Sequence, residues 1–100
     1  MQTHDRTLLT VIAEAALERQ LVADARRLGA HGYTVYEVRG GGAGSTVSGE
    51  WEADRSIELQ LVCSAEVAQR IAEHLLGEYG RHWRLTVMLS DVKVFLAEKF

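Results

Sequence analysis

The spacing of apolar residues changes in a fixed order along this chain, and that order most constrains its fold. Between Thr7 and Glu14 the residues Leu8, Leu9, Val11 and Ile12 form the β-branched and aliphatic run of a buried strand. Leu17, Leu21, Val22, Ala25 and Leu28 then recur at helical spacing, with Arg19, Asp24 and Arg26 on the other side. This predicts a helix from about Ala16 to Ala30, with Gly29 and Gly32 as candidate left-handed caps. The aromatic and β-branched stretch Tyr33–Val38 reads as a second strand. Ile57, Leu59, Leu61 and Cys63 alternate with Glu58, Gln60 and Val62, a third strand with one apolar and one wetter face. Ser64 can N-cap a second helix, where Glu66 suits the positive end of the helix dipole. Its buried stripe would be Val67, Ala68, Ile71, Leu75 and Leu76, and Gly77 or Gly80 would end it. Arg84 to Leu89 reads as a fourth strand, followed by a turn at Ser90-Asp91 and a short fifth segment, Val92 to Leu96.

Strand-helix-strand-strand-helix-strand is the order of an α+β, ferredoxin-like βαββαβ sandwich, expected as one domain over residues 1–100. Many unrelated functions share that fold, so function has to come from particular residues. A net charge of -3 argues against nucleic acid as a partner, and the third strand offers Glu58, Gln60 and Val62 where an RNA-binding sheet needs aromatics. The single cysteine, Cys63, excludes both an internal disulfide and the cysteine pair of a metal carrier, and reads as a small core residue. His4, His31, His74 and His82 lie too far apart in sequence to suggest a ligand set. The start, Met1 to Asp5, lacks the basic and apolar regions of a signal peptide, and no apolar run approaches the roughly 18 residues of a membrane span. The cytoplasm follows by elimination.

One stretch does not fit a minimal connection. Residues 39–54, opening with Arg39, Gly40, Gly41, Gly42, Ala43, Gly44, Ser45 and Thr46, separate two strands that a hairpin loop of about two to five residues would join. Four glycines within five residues let the backbone approach a ligand and turn its N–H groups toward an anion, although a flexible connector would have the same composition. There is no lysine after Gly44, no following helix and no G-x-G-x-x-G spacing, so neither common phosphate-binding loop is present. Arginines fit the anion reading instead, Arg39 at the loop base and Arg81 and Arg84 around His82 and Trp83. The stretch Arg81–Arg84 equally suits a solvated connection with Trp83 tucked onto the core. Glu50, Glu52 and Asp54 are available as paired carboxylates for acid–base chemistry on a phosphorylated substrate, and their alternation with Trp51, Ala53 and Arg55 also suits a solvated edge. A ferredoxin-like module that binds a small metabolite such as an amino acid is a further alternative.

Gly32-Tyr33-Thr34-Val35, followed by Glu37-Val38-Arg39-Gly40-Gly41-Gly42, resembles the PII signalling proteins, in which such a stretch leads into a long T-loop. The short chain looks most like the PII-like branch that includes the carboxysome-associated and SbtB-like proteins. The resemblance implies a homotrimer with adenine nucleotides in clefts between subunits. It would place Thr34 at the adenine end, Ile12 and Val62 as apolar walls, and Gly40, Gly41, Gly42 and Ala43 near ribose and phosphate. Arg81 and Trp83 would belong to the second nucleotide-contacting turn. Arg39, Gly44, Ser45 and Thr46 would hold a small anion such as bicarbonate. Departures from true PII proteins favour AMP or ADP over ATP: Ala43 stands where they carry an arginine, and their T-G-x-x-G-D-G-K stretch and C-terminal arginines are missing. The loop has no tyrosine for uridylylation. The implied role is a non-enzymatic sensor whose loop, with Trp51 on it, signals to a bicarbonate transporter or a carboxysome-related protein.

Overall fold

The computed structural model describes residues 1–41 and 55–100. Strand β1 (His4–Glu14) leads through a 3₁₀ turn (Ala15–Leu17) into helix α1 (Glu18–Arg27). Strands β2 (Thr34–Val38) and β3 (Ser56–Cys63), helix α2 (Ala65–Tyr79) and strand β4 (Leu85–Val94) follow, with a 3₁₀ turn at Ala97–Lys99. The strands form one antiparallel sheet in the order β2-β3-β1-β4. Each helix therefore crosses over a strand inserted between the two that it joins, which is the split βαβ of the ferredoxin-like fold.

Side-chain alternation decides which face is covered. Leu9, Val11 and Ala13 of β1 and Ile57, Leu59, Leu61 and Cys63 of β3 are buried with Leu17 of the 3₁₀ turn, Leu21 and Ala25 of α1 and Ala68, Ile71 and Leu75 of α2. The opposite face carries Ile12, Glu14, Glu58, Gln60 and Thr86, and among the described residues no helix lies over it. Cys63 is a core residue, and burial pushes its thiol up.

Local signals act at two of the helix ends that the sequence marked. Gly29, at φ 121°, follows α1 in a Schellman motif: Ala30 N–H bonds the Ala25 carbonyl at 3.0 Å and Gly29 N–H that of Arg26 at 3.2 Å. Ser64 Oγ accepts from Val67 N–H at 3.2 Å and caps α2. Three expectations are corrected. Residues 15–17 turn as 3₁₀, and the α-helix proper stops at Arg27, short of Ala30. Leu76 is 48% exposed, while Ala72 takes the buried place on α2. No turn breaks the last strand at Ser90-Asp91, because Ser90 and Asp91 pair with Leu8 and Thr7 of a β1 that itself begins at His4.

Candidate functional site

A cleft of about 740 Å³ lies over one end of the uncovered sheet face, where three segments meet. The strand ends form its floor with Ile12 and Glu14 from β1, Ser56 and Glu58 from β3 and Thr86 from β4. Val38, Arg39, Gly40 and Gly41, where the chain leaves β2, form one wall. Gly80, Trp83 and Arg84, after α2, form the other. Pairing register assembles the floor: Ile12 faces Glu58 on one side and Thr86 on the other, and Glu58 in turn faces Tyr36.

The turn after α2 is tied down at both ends. His82 N–H and Trp83 N–H bond the Tyr79 carbonyl at 3.3 and 3.0 Å, and Arg84 N–H bonds Glu14 Oε2 at 3.2 Å. Trp83 is half-buried against the core and also lines the cleft. The start of this turn leaves no room for a side chain. A Cβ at Gly80 would collide with the carbonyl oxygen of Leu76.

Behind the turn, Tyr79 belongs to a polar cluster between the helices. Asp24 Oδ2 accepts from the Tyr79 hydroxyl at 2.6 Å and from His74 Nε2 at 3.0 Å, and Arg27 lies 3.5 Å from Oδ1. Burial pushes the Asp24 carboxyl up, but its hydrogen bonds to Tyr79 and His74 and the nearby charges outweigh that and hold it below its ordinary value. The same bond pushes the Tyr79 hydroxyl up to about 12. On the uncovered face, Glu58 Oε2 accepts from the Tyr36 hydroxyl and from Gln60 Nε2 at 2.9 Å, and Glu58 raises the Tyr36 hydroxyl.

Of the residues singled out from sequence, Ile12, Arg39, Gly40, Gly41 and Trp83 come together in the cleft. Thr34, Val62 and Arg81 are not brought to it within one copy of the chain. Thr34 faces Gln60 and Val62 faces Leu8, two and four residues beyond Glu58 along β3, and a strand rises about 3.3 Å per residue. Arg81 is exposed outside the lining. Gly42, Ala43, Gly44, Ser45 and Thr46 lie outside the described residues, as do Glu50, Trp51, Glu52 and Asp54. Sequence reasoning did not single out Glu14, Glu58 or Thr86 for the site. Their signal was present but indirect: each alternates with a core residue near a strand end that meets one of the two loops. Among the described residues no group of three or more His, Cys, Asp or Glu side chains could hold a metal ion. Nor is any of their helices long and apolar enough to cross a membrane.

A ferredoxin-like sheet whose glycine-bearing exit from β2 meets the turn after α2 over an arginine-lined cleft defines a class of small α+β modules. Within that class, the sequence profile of nitrogen regulatory protein P-II matches residues 6–99, and the chain belongs to that family. A crystal structure of a PII-like signalling protein from Thermus thermophilus is 37% identical, with a TM-score of 0.87 over 100% of this chain and 99% of that one. CPII from Thiomonas intermedia, bound to ADP and bicarbonate, is 21% identical, with a TM-score of 0.87 over 99% and 97% of the two chains. The same protein bound to ADP, AMP and bicarbonate gives 22% and 0.87 over 99% and 96%. No curated protein sequence matches the chain. Membership in the P-II family sets aside the alternative of a metabolite-binding module from a different family.

Proposed function

We propose that this chain is a non-enzymatic regulatory protein that binds adenine nucleotides, AMP or ADP in preference to ATP, in clefts between the subunits of a homotrimer. The observation that carries the reading is the meeting of Arg39, Gly40 and Gly41 with Trp83 and Arg84 over one cleft. Guanidinium groups and glycine N–H groups suit phosphate, and an indole offers a flat apolar surface to a base. The CPII structures with ADP, AMP and bicarbonate support the ligand class through a shared fold. Bicarbonate is the second ligand, held by Arg39 with Gly44, Ser45 and Thr46 at the base of the loop.

The loop is the output. A nucleotide in the cleft contacts the segment that begins at Arg39, so its binding free energy can favour one loop arrangement over another. The target in this reading is a cytoplasmic-side component of inorganic-carbon uptake or fixation, such as a bicarbonate transporter or a carboxysome-related protein. Calorimetric titration with AMP, ADP and ATP, each with and without bicarbonate, tests the ligands. Micromolar binding of AMP or ADP that bicarbonate alters is the expected result, and no nucleotide binding refutes the reading. Sedimentation equilibrium tests the trimer.

A further inference from the structure

Glu58 is a carboxylate of the cleft that neighbouring side chains hold in place. Its Oε2 accepts from the Tyr36 hydroxyl and from Gln60 Nε2 at 2.9 Å, and Gln60 Nε2 also reaches the Tyr36 oxygen at 3.2 Å. A carboxylate accepts hydrogen bonds and cannot donate them, so one oxygen serves both donors. The cluster contributes nothing to the core, since all three side chains stand on the uncovered face and Tyr36 is 43% exposed. Its placement matters for the cleft. Glu14 faces Ser56 while Glu58 faces Ile12, so the two acids are diagonal neighbours, with Cα atoms about 7–8 Å apart.

Charge balance follows from this geometry. The described lining carries Glu14 and Glu58 beside Arg39 and Arg84, whose formal charges cancel. A cleft built to attract a polyanion would hold a surplus of cations. A phosphate chain bound against this lining would bring its negative charge toward the Glu58 carboxylate, and salt at about 0.1 M leaves charges coupled over roughly 10 Å.

We infer that Glu58, held by Tyr36 and Gln60, is a specificity-determining residue that selects nucleotides by phosphate number, accepting mono- and diphosphates and repelling triphosphates. The inference rests on the nucleotide reading above. The test is calorimetric titration of ADP and ATP, at one ionic strength, into the wild-type protein, Glu58→Gln, Glu58→Ala and Tyr36→Phe. Glu58→Gln keeps size and polarity and removes only the charge. Its ratio of ADP to ATP affinity is expected to shift at least tenfold toward ATP, and Glu58→Ala, which does not depend on the amide's hydrogen bonds, to shift the same way. Tyr36→Phe releases the carboxylate without neutralising it, so a smaller shift in the same direction is expected. If the wild type binds ADP and the ratio is unchanged in the Glu58 variants, the inference is overturned and the nucleotide reading stands. Equal loss of both nucleotides overturns it too, because Glu58 would then be an acceptor for the nucleoside they share. A wild-type protein that binds neither nucleotide overturns both.

Discussion

Replacing Tyr79 with phenylalanine removes one hydroxyl and leaves the ring packed on the core, so its cost isolates the bond to Asp24. That bond is 2.6 Å long and its acceptor is ionised, with a side chain only 19% exposed. A hydrogen bond to a charged group contributes about 1.5–3 kcal/mol. Asp24 keeps His74 at 3.0 Å and Arg27 at 3.5 Å after the substitution, so the lower end, about 1.5 kcal/mol, is expected. At about 4–8 °C per kcal/mol for a domain of this size, Tyr79→Phe should melt roughly 6–12 °C early, measured at one fixed protein concentration.

The pH profile carries the same signature. The folded Asp24 carboxyl is held below its unfolded value near 3.8, so its contribution is complete above that value and disappears as acid takes the pH below it. Tyr79 is raised from 10.0 to about 12, so its contribution is present below pH 10 and is lost as the pH rises toward 12. Tyr79→Phe should therefore lose the alkaline limb and weaken the acid one. In a double-mutant cycle, Tyr79→Phe and Asp24→Asn should show a coupling of about 1 kcal/mol or more. A Tyr79→Phe protein within about 0.5 kcal/mol of wild type, with both limbs intact, would refute the reasoning.

Arg39→Ala removes one of the two guanidinium groups that the described residues bring to the cleft and should weaken ADP binding by about 1.5–3 kcal/mol, or roughly ten- to 150-fold, by calorimetry, with little change in melting temperature. Gly80→Ala should force the turn after α2 to move away from the Leu76 carbonyl, lowering stability by about 1–3 kcal/mol in denaturant titrations and weakening nucleotide binding with it. Ser64→Ala removes the cap of α2 and should lower stability by about 1 kcal/mol while leaving nucleotide affinity unchanged, since Ser64 is remote from the cleft.

Structure that depends on neighbours in sequence was legible in the sequence itself. The alternation of β3 placed Ile57, Leu59, Leu61 and Cys63 in the core, and Gly29 and Ser64 sit at the helix ends their chemistry marks. What failed depends on partners far along the chain. Ser90-Asp91 carries ordinary turn residues, yet the strand continues because Leu8 and Thr7 complete its ladder. Nothing local joins Asp24 to His74 and Tyr79, fifty and fifty-five residues away. The cleft divides the same way. Arg39, Gly40 and Gly41 were marked by composition and Trp83 by the family resemblance, whereas Glu14 and Glu58 reach it only through the register of β1 with β3.

The central place of β1 has a consequence for how the chain reaches its native state. Its two partners are β3 and β4, and the longer ladder joins His4–Ala13 to Leu85–Val94, nearly the two ends of the chain. Contacts so distant require a large loop to close before they return any stabilisation, which slows folding relative to a helical bundle of equal length. A nascent chain that has not yet delivered β4 leaves one edge of β1 without its ladder, in a strand rich in Leu, Val and Ile. That is the stage at which pairing with another chain competes with folding, and the arrival of the last strand ends it.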